Sequence, residues 1–480
     1  MDTIERKPFT SPFLWNKYIR IFRSYVPAWL LVLGATELIV LMVVSIMASA
    51  SFDFYQIFSP DTACLLCLIK ASIFSVTIWV MMISMGLYQR RLREGAAGIA
   101  LRVVISHIFG AVALFSLYFV LPVISIEYKI TFIALIISYT AVLMVRITFL
   151  RLVGTEVFKS RVLVLGTGEK AAGITQLKRW IDTVGYTLVG FVDVGNSEPK
   201  IDKSRIIDFD DKSLAQLVRE YCIDEIVIAF DDRRRRMPMD DLLDCKMLGV
   251  RVVDLITFYE RETYKLKLDV MDRSWLIFSD GFQQGVYARW IKRVLDIAVS
   301  GAILLITLPV MVITAIAIKL ESSGGMFYSQ KRVGFGGKTY SVHKFRSMVA
   351  DAEKNGAQWA TKNDSRVTKV GGFIRLTRID ELPQLWNVLR GDMSFVGPRP
   401  ERPEFVDQFC ERIEYYAERH RVKPGITGWA QVCYPYGASE SDAFEKLQYD
   451  LYYAKNSSLF LDLMIILQTV EVVVWQKGAR

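Results

Sequence analysis

Residues 294–318 read VLDIAVSGAILLITLPVMVITAIAI, and whether this run crosses a bilayer or turns back inside it decides on which side everything after it lies. The run is long enough to span hydrocarbon. Yet Arg289, Lys292 and Arg293 precede it and Lys319, Lys331 and Arg332 follow it, and positive charge on both flanks argues against a crossing. Pro309, near the middle, removes a backbone donor and kinks a helix. The pattern predicts a re-entrant hairpin over 290–320 that dips into one leaflet and returns to the cytoplasm, its freed backbone groups sheltered by protein. A spanning helix is the plain alternative, and it would put the following residues outside.

Working upstream, the 480-residue chain is 52% hydrophobic with mean hydropathy +0.28, too apolar for an ordinary soluble enzyme. Four further runs, 27–50, 63–87, 99–122 and 130–150, have the length of transmembrane helices. Arg6, Lys7, Lys17, Arg20 and Arg23 precede the first, whereas the loop after it holds Asp53 and Asp61 and no Lys or Arg. Arg90, Arg91 and Arg93 follow the second run, and Arg151, Lys159 and Arg161 follow the fourth. The charge bias places the N-terminus and everything beyond residue 150 in the cytoplasm. The first run follows a long polar arm without a small-residue cleavage site, so it reads as a retained span and not a signal peptide. Glu37, Lys70 and His107 within the spans are either functional or paired between helices and snorkelling.

The net charge of +9 and pI near 9.1 fit an anionic lipid surface better than nucleic acid, because the basic residues sit with aromatics beside membrane segments. Six scattered cysteines, with only Cys64 and Cys67 close together, indicate neither a zinc site nor a disulfide framework.

From residue 161 short apolar runs alternate with helical segments: RVLVLG, TLVGFVD, DEIVIAF and VRVVDL. That is the signature of a parallel α/β domain. Gly166-Thr167-Gly168 closes the first strand, Ala171 stands where a third glycine would, and Asp193 ends the second strand at the distance of a ribose-binding acid. The reading is Rossmann-like. A glycine turn also serves merely to pack strand on helix, so a domain without NAD is the expectation. Arg233 to Arg236 follow the third strand and are either a headgroup or nucleotide contact or a solvated loop.

Downstream of the hairpin, residues 375–400 read RLTRIDELPQLWNVLRGDMSFVGPRP. The adjacent carboxylates Asp380 and Glu381 are flanked by Arg375, Arg378 and Arg399, a composition suited to phosphate chemistry. A carboxylate attacks phosphorus only where a metal, arginines or a helix N-terminus offset the substrate's charge. Pro383 makes Asp380 the expected N-cap of a short helix ending at Gly391. Lys344 and Arg346 lie on one face of a strand and either support phosphate binding or pair with Asp351 and Glu353. Residues 459–475 are apolar but carry Asp462, Gln468 and Glu471, which fits a helix lying at the interface. Tyr415, Tyr416, Arg419 and Arg421 are expected at lipid headgroups, and His343 and His420 are expected to be structural.

KRVLD (292–296), KFRSM (344–348), DELPQLWNVLRGDMSFVGPRP (380–400) and KPGITGWAQV (423–432) together resemble the polyprenol-phosphate phosphoglycosyltransferases. Four spans followed by a Rossmann-like domain resemble the family's long bacterial form, which initiates O-antigen, capsule or exopolysaccharide assembly. The resemblance implies an inner-membrane enzyme that moves a sugar-1-phosphate, glucose or galactose, from a UDP-sugar to undecaprenyl phosphate and releases UMP. In that scheme Asp380 is the covalent nucleophile and Glu381 holds Mg2+, for which Mn2+ can substitute. Arg375 and Arg399 occupy the family's phosphate-binding positions, and Asp450 and Asp462 resemble acidic family positions whose role is either in the site or structural. A homodimer is the implied assembly. The expected organisation is membrane α plus α/β: spans over 1–155, the Rossmann-like domain over 156–285, and a monotopic catalytic domain over 286–480.

Two rivals remain. One is a membrane-anchored NAD-dependent nucleotide-sugar dehydratase or epimerase, for which Tyr340 and Lys344 form a Tyr-x-x-x-Lys match, although in a segment that reads as a strand. The other is an inactive membrane scaffold that senses a nucleotide, against which the intact carboxylate pair argues.

Overall fold

A computed structural model describes residues 18–21, 24–52, 62–88, 96–153, 159–177, 185–194, 198–207, 213–231, 237–282, 285–349, 366–434, 437 and 439–474. Arg233 to Arg236, Asp351, Glu353 and the charged residues of loops 53–61 and 89–95 lie outside them. The chain divides into two compact units, residues 1–21 with 25–273 and residues 22–24 with 274–480.

In the first unit two short strands, β1 (Tyr18–Ile21) and β2 (Ser24–Pro27), lead into four helices. These are α1 (Ala28–Phe52), α2 (Thr62–Ser84), α3 (Ala96–Val120) and α4 (Tyr128–Val153), each coinciding with an expected apolar run. All four are long and apolar enough to cross a membrane. Leu41, Phe74, Ile78, Val103, Leu114 and Val142 pack between them, while Ile39, Met47, Phe119 and Met144 stay exposed on their outer faces. Such a two-sided apolar helix needs a nonaqueous surround. Glu37 is fully buried and ion-paired to Arg146 of α4, with Nε 2.7 Å and Nη2 2.9 Å from its carboxylate, and Tyr88 donates a further hydrogen bond. A buried carboxylate survives only with such partners, so pairing between helices accounts for Glu37.

The α/β part of this unit comprises β3 (Ser160–Leu165), α5 (Glu169–Thr175), β4 (Tyr186–Val192), β5 (Ile206–Ile207), α6 (Leu214–Glu220), β6 (Glu225–Ile228), α7 (Met239–Met247), β7 (Arg251–Asp254) and α8 (Leu255–Thr263). The sheet is wholly parallel in the order β5-β4-β3-β6-β7, so the strand order reverses beside β3. Near-continuous apolar strands are what a parallel sheet covered on both faces requires. Gly166 has φ +118°, and a Cβ there would meet the Ala229 carbonyl oxygen at 2.6 Å, so this glycine is explained by the approach of neighbouring chain. Asp231, just beyond β6, accepts hydrogen bonds from the amides of Glu169 and Lys170 at 3.0 and 2.9 Å. A side-chain carboxylate thus occupies the amides that open α5.

The unit boundary falls after the first residue of α9 (Arg273–Phe278), and the second unit continues with α10 (Val286–Glu321). Where two helical arms were expected, α10 is a single helix of 36 residues with Pro309 inside it. It is the fifth helix apolar enough to cross a membrane, and only 11% of its most apolar window is buried. An antiparallel pair follows, β8 (Phe327–Val333) and β9 (Thr339–Phe345), then α11 (Lys369–Leu376), α12 (Gln384–Arg390), β10 (Ser394–Val396), α13 (Pro403–Arg412), β11 (Gly425–Thr427), α14 (Trp429–Cys433), α15 (Glu440–Asn456) and α16 (Leu459–Val474). β10 pairs in parallel with β11, and the contact is close enough that a Cβ on Gly425 would lie 2.1 Å from the Gly397 amide nitrogen.

Both ends of α10 are built into the domain that follows it. Arg293 donates to the carbonyls of Val388 and Leu389, each at 2.6 Å, and Asp296 accepts from the Ser394 hydroxyl and the Phe395 amide, each at 2.9 Å. At the other end Ile318 packs with Phe345 and Ile374, and Glu321 accepts from the amides of Lys369 and Val370 that open α11. Between those ends Leu305, Ile306, Val312 and Ile313 are exposed.

Candidate active site

The carboxylate pair sits where α11 gives way to α12. Thr377 ends α11, Arg378 takes a left-handed conformation with φ +60°, and Ile379–Glu381 form a single 3-10 turn. Asp380 is therefore not the N-cap of the following helix. The 3-10 pattern continues through Leu385 and Trp386, whose amides donate to residues three back, and the helix proper opens only after Pro383. Gly391, with φ +101°, ends it as expected. Leu385 and Val388 anchor α12 inward, and Val388 shares a core with Val342 of β9 and Met393. Asn387 ties the same two elements by accepting from the His343 amide and donating to the Ser341 carbonyl.

That packing brings β9 against the 3-10 turn. Lys344 Nζ lies 2.8 Å from Glu381 Oε1, Arg399 Nη2 lies 2.9 Å from the same oxygen, and Arg378 Nη1 stands 3.6 Å from Oε2. Three cations thus converge on one carboxylate whose side chain is only 11% exposed. Asp380 is buried beside it, and among the described residues no hydrogen bond holds its carboxylate. Burial, and after it the adjacent Glu381 charge, raise the proton affinity of Asp380 against the pull of Lys344, Arg399 and Arg378. Burial also raises that of Glu381, but Arg399, Lys344 and Arg378 outweigh it and hold the carboxyl well below the usual range. The pair is therefore differentiated: one carboxylate is fixed and charge-compensated, the other buried and of raised proton affinity.

Lys344 and Arg399 meet at Glu381, as does Arg378, which the sequence reading treated only as a flank. Its spacing of three residues from Glu381 was the available signal. Among the described residues no ion pair joins Arg375 to Glu381. Arg346, expected on the same strand face as Lys344, lies one residue beyond the end of β9 and is used elsewhere. It donates to the Ser322 and Ser323 carbonyls and the Ser322 hydroxyl at 2.8–2.9 Å, closing the C-terminal end of α10.

Asp450 and Asp462 lie in buried ion pairs instead of beside the dyad. Asp462 pairs with Lys292 at 2.7 Å, and Asp450 with Arg419 at 2.7 Å. Arg419 and Tyr416 are 6% and 3% exposed, so these two are core residues and not headgroup anchors. The loop after β10 that carries Arg399 is pinned along its length. The Val396 carbonyl accepts from Lys292 Nζ and the Tyr453 hydroxyl, that of Arg399 from Arg419, and that of Pro400 from Arg332. Lys292, in the KRVLD segment, thereby reaches the site loop from 104 residues upstream.

No cluster of three or more candidate metal ligands occurs among the described residues. The adjacent carboxylates of Asp380 and Glu381 suit a hard cation of the kind that keeps most of its waters and takes only one or two protein oxygens.

Residues 287–476 match the bacterial sugar transferase family. Over 239 residues the chain is 43% identical to the UDP-N-acetylgalactosamine-undecaprenyl-phosphate N-acetylgalactosaminephosphotransferase of Aeromonas hydrophila, covering 50% of this chain and 56% of that protein. It is 46% identical over 186 residues to the UDP-glucose:undecaprenyl-phosphate glucose-1-phosphate transferase of Escherichia coli (strain K12), covering 38% and 40%. Similarity to the undecaprenyl-phosphate galactose phosphotransferase of Salmonella typhimurium runs further, at 30% identity over 346 residues, 67% of this chain and 70% of that one. The matched stretch thus spans about half the length of the first two of these relatives.

Proposed function

Since the chain belongs to the bacterial sugar transferases, the polyprenol-phosphate phosphoglycosyltransferases, we propose that it transfers a sugar-1-phosphate from a UDP-sugar to undecaprenyl phosphate. The observation that carries this reading is the differentiated dyad, a buried Asp380 of raised proton affinity beside a Glu381 gripped by Lys344, Arg399 and Arg378. An Asp380 carboxylate oxygen attacks the sugar-bearing phosphorus, and the phosphoanhydride bond breaks with its electron pair leaving on UMP. An oxygen of the lipid phosphate then attacks the aspartyl phosphosugar, forming the lipid diphosphate and returning Asp380 as a free carboxylate. Two steps let two anionic substrates use one site in turn. Lys344, Arg399 and Arg378 offset the charge that accumulates on the transferred phosphoryl oxygens. Glu381, with Asp380 beside it, would hold Mg2+, which supplies Lewis-acid neutralisation of the diphosphate when bound.

The same proposal places the site at the inner face of the bacterial cytoplasmic membrane. Helices α1 to α4 cross the bilayer, and α10 enters one leaflet and returns, bending at Pro309. Support for the return comes from its two ends. Arg293 and Ile318 are 25 positions apart, about 38 Å in a straight helix, yet Val388, the partner of Arg293, packs against Val342, and Phe345, the partner of Ile318, lies on the same strand β9, whose whole length is about 20 Å. Exposed apolar side chains from Leu305 to Ile316 would then lie in hydrocarbon.

The dehydratase rival is disfavoured by two features. Tyr340 and Lys344 lie on a strand and not one helical turn apart, and Asp231 takes the α5 amides that a dinucleotide pyrophosphate would use. The decisive experiment is Asp380→Asn in membranes supplied with undecaprenyl phosphate, magnesium and a panel of UDP-N-acetylgalactosamine, UDP-glucose and UDP-galactose. UMP release should vanish for every donor the parent chain accepts. Full activity in the variant would sink the nucleophile assignment, and a parent chain inactive on all donors would favour the scaffold reading.

A further inference from the structure

The side chain of Arg399 reaches Glu381, and the backbone of Arg399 is held from behind. Its carbonyl accepts from Arg419 Nη2 at 2.9 Å while its own Nη2 donates to Glu381 Oε1 at 2.9 Å. Arg419 is in turn fixed on two further sides, by the Asp450 carboxylate at 2.7 Å and by the Tyr416 hydroxyl, which accepts from Nη1 at 2.7 Å. All three supporting side chains are at least nine-tenths buried.

Stability does not explain why a guanidinium does this work. The Arg399 carbonyl needs one donor, and a neutral side chain would satisfy it. A buried ion pair is costly to desolvate, and an apolar replacement of similar volume is often as stable. What Arg419 adds is geometry. Its planar fork meets a carboxylate, a phenol and a carbonyl from two nitrogens held in one plane, so the three partners need not converge on a single nitrogen as they must around a lysine. The chain it holds needs this. Arg399 lies between Pro398 and Pro400, so the loop lacks two backbone donors, and its neighbours are held by Gly425, which donates to the Pro398 carbonyl, and by Arg332 at Pro400. Arg419 is the recorded partner of the carbonyl on the very residue that presents its guanidinium to the dyad.

We propose that Arg419 and Asp450 are positioning residues for the transfer reaction. Asp450 on α15 orients Arg419, Arg419 fixes the backbone of Arg399, and Arg399 is thereby presented at a set place to Glu381 and the transferred phosphoryl group. The proposal rests on the transfer reading above, and it adds residues that approach the dyad only through Arg399. A displacement of about 1 Å in such a group costs on the order of a hundredfold in rate.

The test uses the full-length protein in lipid discs, with undecaprenyl phosphate, magnesium and the three UDP-sugars, and reads UMP release. Arg419→Lys keeps the charge for Asp450 and removes the fork. It should lower kcat/KM at least about tenfold on the accepted donor while leaving the melting temperature within a few degrees. In an Arg399→Lys background the same substitution should cost almost nothing further, because residues acting through one another are non-additive. A purely structural role predicts that the losses multiply. Should Arg419→Lys fail to fold, Tyr416→Phe, which removes only the phenol contact, should give a smaller loss with the same non-additivity. Activity of Arg419→Lys within twofold of the parent, or multiplying losses in either double variant, overturns the proposal. A parent chain that releases no UMP overturns the transfer reading instead, and it does so without any substitution.

Discussion

Lys292→Met isolates the buried network that joins α10 to the end of β10. An ammonium has three donors, and here all three are used: Asp462 Oδ2 at 2.7 Å, the Tyr453 hydroxyl at 3.0 Å and the Val396 carbonyl at 3.1 Å. Methionine keeps the volume and removes all three. Asp462, 1% exposed, is left with the Tyr453 hydroxyl at 2.7 Å as its recorded partner. Breaking a buried pair in this way costs about 3–5 kcal/mol. At roughly 2–4 °C per kcal/mol for a domain of about 200 residues, the melting temperature should fall on the order of 10 °C. The cost should also depend on pH. Burial already raises the proton affinity of Asp462 against the pull of Lys292 and Tyr453, and losing Lys292 raises it further. A carboxyl whose folded value lies above its unfolded value binds more protons in the native state, so its penalty is largest at high pH and relieved as pH falls. Thermal unfolding in lipid discs from acid to neutral pH, on Lys292→Met, Asp462→Asn and the double variant, measures all of this. The reasoning is refuted if Lys292→Met behaves like a surface substitution, or if the double variant loses the sum of the two single losses instead of recovering most of the first.

Two further outcomes follow from the same structure. His420 has its proton affinity lowered to about 4 by burial and then by the Arg419 charge, so the unfolded chain, near 6.5, binds the extra proton. Stability should rise with pH between those values, and His420→Phe should flatten that slope; an unchanged slope in urea titrations of the second unit would show that the histidine is solvated. For topology, Lys338→Cys in an otherwise cysteine-free chain should resist a membrane-impermeant maleimide in intact cells and react after permeabilisation, since Lys338 is exposed in the turn between β8 and β9. Labelling in intact cells would mean that α10 crosses the bilayer.

Periodicity and local chemistry were legible in the chain. The four apolar runs, the alternation that built the parallel sheet and the Gly391 stop depend on residues within a few positions of one another. Their structural consequence follows from backbone geometry and transfer free energy alone. The motifs around Asp380 were equally local, and they singled out the adjacent carboxylates as the candidate dyad. Even there, one detail escaped. The N-cap inferred from Pro383 is a 3-10 turn, because left-handed Arg378 redirects the backbone before the helix opens.

What only the tertiary structure decided is which charges meet. Lys344 and Arg346 are two residues apart, yet one reaches the dyad and the other closes α10, because Lys344 belongs to β9 beside the 3-10 turn and Arg346 lies just beyond the strand's end. Asp450 and Asp462 resembled site acids but are partners of Arg419 and Lys292, the latter 170 residues away. A buried ion pair has no periodic signature, since its two halves are matched by desolvation and geometry at a distance the sequence does not encode. By itself the sequence determined that Asp380 and Glu381 stand together inside the motifs that resemble the family's. The fold determined the three cations that hold Glu381 and the buried arginine that sets one of them in place.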